Sequence, residues 1–163
     1  MFAQIVDAPI AEVAAWEMAK MSRENQKARA ASGGLESDLV KINEHQNIYH
    51  VVYDLSIPTF LPRQFVSMIV WKWDEDKKEL TVALDTIEHD AFPKRKEYLR
   101  ASTTFMANFK QVADVGEIPQ TKLTWTQQVD LGGRIPKWAQ NRQGVGQLMY
   151  VIEPAPYFAP APH

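Results

Sequence analysis

Between residues 37 and 131 apolar and polar residues alternate with a period of two, segment after segment, with only short interruptions. The alternation predicts strands near 37–45, 47–56, 63–73, 79–88, 97–111 and 120–131. Asn47 and the run Asp74–Lys78 (DEDKK) read as tight hairpin connections, and His89–Lys96 and Asp114–Pro119 as longer loops. Parallel neighbours need a crossover of a dozen or more residues, so strands linked this closely predict an antiparallel meander. Residues 1–6 read as one more short strand. Asp7-Ala8-Pro9 then opens a helix, with Pro9 in its first turn and Asp7 as cap or dipole partner. Ile10, Val13, Ala14, Met18 and Met21 share a helical face, the pattern runs on in polar residues to Lys27, and Ser32-Gly33-Gly34 breaks it. Gly132-Gly133 ends the strands. Pro136 opens a second helix from Lys137 to about Ile152, and four further prolines forbid helix beyond it. The fold class is therefore α+β: helix, antiparallel sheet, helix. One domain is expected over 1–152, followed by a Pro/Ala-rich tail over 153–163.

Several function classes fall away on composition. The chain has no cysteine, which removes disulfides, thiolate nucleophiles and Cys-based metal sites. A formal charge of −2, from 18 Lys+Arg against 20 Asp+Glu, gives no bulk field for nucleic acid, and no nucleic-acid partner is expected. Lys94-Arg95-Lys96, the densest basic cluster, has no interleaved aromatics and reads as a solvated loop. No metal site is expected: His45 and His50 stand five apart across a turn, and no H-x-x-x-H occurs on a helix. Neither glycine pair makes a G-x-G-x-x-G or P-loop pattern, and no G-x-S-x-G elbow occurs. No catalytic residue is assigned and no cofactor is called for. MFAQIVDAPI has no basic n-region or long apolar stretch, and no apolar run approaches the roughly 18 residues that span a bilayer, so a soluble cytoplasmic protein is expected.

What is unusual is the balance of the strands. On 47–56, Ile48, His50, Val52 and Asp54 share one face and Tyr49, Val51, Tyr53 and Leu55 the other. On 63–73, Phe65, Ser67, Ile69, Trp71 and Trp73 oppose Val66, Met68 and Val70. Two arrangements satisfy strands that are apolar on both faces. One is a sheet packed by helices on one side and by neighbours or a partner on the other. The second is a strongly curved sheet enclosing an apolar cavity roofed by the second helix.

From Ile57 to Met149 the chain resembles the START domain, the lipid-transfer module of the steroidogenic acute regulatory protein and its relatives. The resemblance is carried by Pro62-Arg63-Gln64-Phe65-Val66, Tyr98-Leu99-Arg100-Ala101, the run P-Q-T-K-L-T-W at Pro119–Trp125, and V-D-L-G-G-R-I-P-K at Val129–Lys137, with Asn141 downstream. Val6-Asp7-Ala8-Pro9 before a helix resembles the family's early strand-to-helix junction. The resemblance implies a helix-grip fold: a curved antiparallel sheet wrapped around a long C-terminal helix, with a lipid between them and no chemistry performed.

Carried over by position, the resemblance puts Ile69, His50, Ala101, Thr103, Leu131, Gln147 and Val151 on the lipid side. Val52 and Ser67 follow by strand alternation. Arg63 and Arg100 match arginines beside the sheet and are expected to bond backbone or carboxylate, with Asp130 one candidate partner. The sterol-binding member carries a buried Arg–Glu pair where this chain has Ile69 and His50, so the lipid is left open among sterol, phospholipid and fatty acid. Transient membrane contact accompanies that reading. Both ends are shorter than the family's, so the expectation is a truncated domain, as part of a larger multidomain protein or self-associating through an exposed sheet edge. Two other functions stay open: an interaction or regulatory module with Phe105, Trp71 and Trp125 filling the interior, and a helix-grip enzyme built on His50 with Asp54.

Overall fold

A computed structural model describes residues 1–135. The helix expected over 137–152, with Gln147 and Val151, and the tail over 153–163 lie outside the described residues.

Within them an eight-stranded sheet dominates. In chain order the elements are β1 (Phe2–Val6), α1 (Ile10–Met18), α2 (Arg23–Ala31), β2 (Gly34–Asn43), β3 (Gln46–Tyr53), β4 (Arg63–Asp74), β5 (Glu79–Thr86), β6 (Leu99–Arg100), β7 (Ser102–Val115) and β8 (Ile118–Asp130). The sheet runs β1-β8-β7-β5-β4-β3-β2, and β6 pairs beside β4. Every pair is antiparallel except β4 with β6, where Arg63 and Gln64 meet Leu99 and Arg100 in parallel. That short pair corrects the expectation of one strand over 97–111. The chain bonds β4 first, through Leu99 N–H to Pro62 O (2.9 Å) and Ala101 N–H to Gln64 O (3.0 Å), and only then joins β5 as β7.

The first helix is also corrected: it is two helices. Ser22 caps the second, its hydroxyl accepting from Asn25 N–H at 3.1 Å, while the Asn25 side chain donates to Ala19 O at 2.9 Å. Asp7 caps nothing; its carboxylate accepts from the Gln120 amide on β8 at 2.8 Å. Gly33 makes the tight passage from α2 into β2. Its φ of +88° is left-handed, and a Cβ there would lie 2.6 Å from Asp54 O.

The two sheet faces are covered differently. On one, Val6, Ala8, Ile10, Val13 and Ala14 pack with Tyr49, Val51, Ile69, Leu80, Val82, Phe105, Ala107, Phe109, Leu123 and Trp125. α1 lies there chiefly over β5, β7 and β8, and α2 against β2. The opposite face holds a small cluster, Ile48, Val66 and Phe92, flanked by Val40 and Ile87. The sheet is the gasket between two cores of unequal size.

Candidate functional site

The helix-bearing face is the candidate site. The ladders fix its membership: Tyr49 opposes Ser67, Ile69 opposes Leu84, Leu84 opposes Phe105 and Phe109 opposes Leu123. Over β7 and β8 it is filled by side chains, with the Phe105 and Trp125 ring centroids 4.2 Å apart. Over β3 and β4 it presents Tyr49, Val51, Ser67 and Ile69, all buried, while α1 packs chiefly to the side of them.

The rim of this strip on the α2 side is polar. Arg29, 9% exposed, donates to Lys20 O and to Ser37 Oγ (2.5 Å), and its guanidinium lies 5.5 Å from the Tyr49 ring centroid. Lys20 Nζ pairs with Glu17 Oε2 at 2.8 Å. Glu17 is 2% exposed and its Oε1 has no hydrogen-bond partner among the described residues. Burial raises the Tyr53 phenol above its ordinary value, against the opposing pull of Arg29 and Lys20.

The residues expected to face lipid divide between the two faces. Ser67 and Ile69 lie on the helix-bearing face, and Thr103 shares a strand face with Phe105. Thr103 also exchanges bonds with Thr86: its N–H donates to the Thr86 hydroxyl at 2.7 Å, and that hydroxyl donates to Thr103 O at 3.1 Å. Ala101 is buried beside Gln64, and Leu131 follows β8, its carbonyl accepting from Arg63 Nε at 2.7 Å. His50 and Val52 do not join them. His50 opposes Val66 and Val52 opposes Gln64, so both point to the other face.

There His50, 3% exposed, stacks on Phe92 with ring centroids 4.6 Å apart and planes 13° from parallel. The Gln64 amide nitrogen lies 3.2 Å from His50 Nε2 and also donates to Pro93 O at 3.3 Å. A nitrogen donating to a carbonyl is a donor toward the histidine too, so Nε2 accepts and the ring is neutral. Burial holds the His50 pKa below its ordinary value. Glu36 and Asp38 oppose that shift, and Arg95 and Arg100 add to it. The enzyme reading loses its cluster here: His50 is sealed under the loop, while Asp54 is exposed and its carboxylate accepts from Ser56 N–H at 2.8 Å. Among the described residues no group of three or more His, Asp or Glu gathers as metal ligands.

The two arginines bond backbone. Arg63, 2% exposed, donates to Leu131 O and Leu61 O, and Arg100 donates to Phe92 O at 2.8 Å and also pairs with the Glu88 carboxylate at 3.6 Å. Asp130 partners neither; it accepts from Gly132 N–H at 2.8 Å. Gly132 has φ +65°, and a Cβ there would stand 3.1 Å from Arg100 O, so the glycine pair lets the chain leave the sheet against β6.

The family model for the START domain matches residues 34–152. The chain belongs to the START domain family. No curated protein sequence matches it. Among solved structures it is similar to the human StarD13 (DLC2) lipid transfer and protein localization domain. That likeness is 21% identical with TM-score 0.70, covering 98% of this chain and 76% of that one. It is also similar to human STARD10 (14% identical, TM-score 0.64, covering 93% and 58%) and to human StAR-related lipid transfer protein 5 (15%, 0.62, 86% and 64%). The chain thus spans less than two thirds of the latter two. At these identities the likeness establishes the START fold, a curved, mostly antiparallel sheet with few helices. Among the described residues no helix is long and apolar enough to cross a membrane.

Proposed function

We propose that this START domain binds and transfers a lipid without chemistry, holding it on the helix-bearing face over β3 and β4. The observation that carries the reading is the strip of Tyr49, Val51, Ser67 and Ile69, apolar but for the Tyr49 and Ser67 hydroxyls, buried beside α1 rather than beneath it. One protein with this fold is named a lipid transfer and protein localization domain and another a lipid transfer protein, which supports the same reading. Affinity would come from apolar area removed from water, at roughly 25 cal/mol per Å², with few polar groups setting orientation. Ser67, Ile69, Thr103, Ala101 and Leu131 are the described lining candidates, joined by Gln147 and Val151. Sterol, phospholipid and fatty acid are the candidate classes, and loading from a membrane requires transient contact with it. The test is native mass spectrometry of the full chain, then organic extraction of the same sample. A stoichiometric adduct that vanishes on denaturation and reappears as a defined lipid supports carriage; a bare polypeptide that takes up no sterol or phospholipid from liposomes overturns it.

One observation favours a second reading, an interaction module with a filled interior: Phe105 and Trp125 pack ring to ring inside the larger core, and Trp71 lies against it. The bare-polypeptide result would select it.

A further inference from the structure

Glu17 stands out among the buried polar groups. On α1 it falls three and four residues after Ala14 and Val13, which puts it on the helix face that packs into the larger core. Its side chain is 2% exposed, Lys20 satisfies one carboxylate oxygen, and the other oxygen has no partner among the described residues. A buried acceptor left unpaired forfeits its hydration with nothing in return. The helix end that carries it is tied to the lipid strip through Arg29, which bonds Lys20 O and lies over Tyr49, the neighbour of Ser67 across the β3–β4 ladder.

Resting on the lipid-binding reading above, we propose that Glu17 Oε1 is the polar anchor of the lipid site and accepts a hydrogen bond from an uncharged headgroup that bears a donor, a hydroxyl or an amide N–H. The charge balance selects the class. Lys20 already pairs with Glu17 across 2.8 Å, so what remains at Oε1 is an acceptor and not a cation. A carboxylate or phosphate brought to Oε1 would meet like charge and supply no donor. A hydroxyl supplies the donor and adds no charge.

The test uses the full chain and three probes of equal chain length: a long-chain primary alcohol, its methyl ether and the corresponding fatty acid. Wild-type protein is expected to bind the alcohol about tenfold more tightly than the ether, the size of one hydrogen bond to a charged group, and the fatty acid more weakly than the alcohol. Glu17→Leu is expected to bind alcohol and ether equally. Glu17→Gln keeps an acceptor oxygen and retains a preference for the alcohol. Equal binding of alcohol and ether by wild-type protein overturns the anchor and leaves lipid carriage standing; this comparison needs no variant to fold. An alcohol preference that persists in Glu17→Leu likewise overturns it. Failure of all three probes to bind overturns the anchor, and the native mass spectrometry above then decides lipid carriage separately.

Discussion

Replacing Phe92 by alanine tests the outer face, where the structure departs most from the sequence reading. Phe92 belongs to a loop but is only 7% exposed, packed against Ile48 and Val66 and stacked on His50. Phe-to-Ala changes in cores cost about 3–5 kcal/mol, and one in a loop that can relax belongs near the lower end, about 3 kcal/mol. At about 2–4 °C per kcal/mol for a chain of this size, Tm should fall by about 6–12 °C. The substitution also opens His50 to water, removing the main cause of its lowered pKa. The sign of the pH dependence follows. Between the depressed folded value and the ordinary value of 6.5, the unfolded chain binds the proton that the native chain refuses. Wild-type stability is therefore full above that ordinary value and declines as pH falls below it. In Phe92→Ala that part of the decline should shrink. Urea denaturation of both proteins from about pH 8 to about pH 5.5, with an NMR titration of His50, measures both effects. A cost under about 1 kcal/mol, or a His50 pKa identical in the two proteins, would refute the claim that Phe92 seals His50 from water.

Adjacent residues on β7 report the two faces of the sheet. Phe109→Ala should cost about 3–5 kcal/mol, since Phe109 is fully buried between Leu80 and Leu123, while Lys110→Ala should stay within about 0.5 kcal/mol, as read by denaturant midpoints. Arg63→Leu should destabilise by about 1.5–3 kcal/mol through lost bonds to Leu131 O and Leu61 O, and Arg63→Lys should not restore the pair, because a single ammonium cannot reproduce the guanidinium fork. Gly33→Ala should cost more than about 1 kcal/mol, because the left-handed backbone and Asp54 O both refuse a Cβ; calorimetry would show it as a lower Tm.

Much of the sheet was legible because period-two alternation writes each strand directly. The relative phase of two strands was not. When both faces are apolar, alternation says which residues of one strand share a face but not which face of the next strand continues it. The resemblance groups His50 with Ile69, and alternation alone does not test that grouping; the ladder sets Asn47 opposite Ile69 and His50 opposite Val66. The α1–α2 break was written in the sequence as Ser22 with Glu24 and Asn25 behind it, but the helical face running on to Met21 masked it. Phe92, a lone aromatic in a charged loop, was the available sign that the second face is covered. Glu17 could have been found from helical phase alone, as an acid spaced with Val13 and Ala14. Its unpaired oxygen could not, because that depends on what surrounds it after folding.

Photo-crosslinking locates a bound lipid on one face or the other. Diazirine-bearing sterol and phospholipid analogues are loaded from liposomes, irradiated, and the labelled residues mapped by peptide sequencing. Lipid carriage on the helix-bearing face predicts labels at Tyr49, Ser67 and Ile69 and none at His50 or Phe92. Labels confined to the Phe92 loop, or spread over both faces, would contradict it.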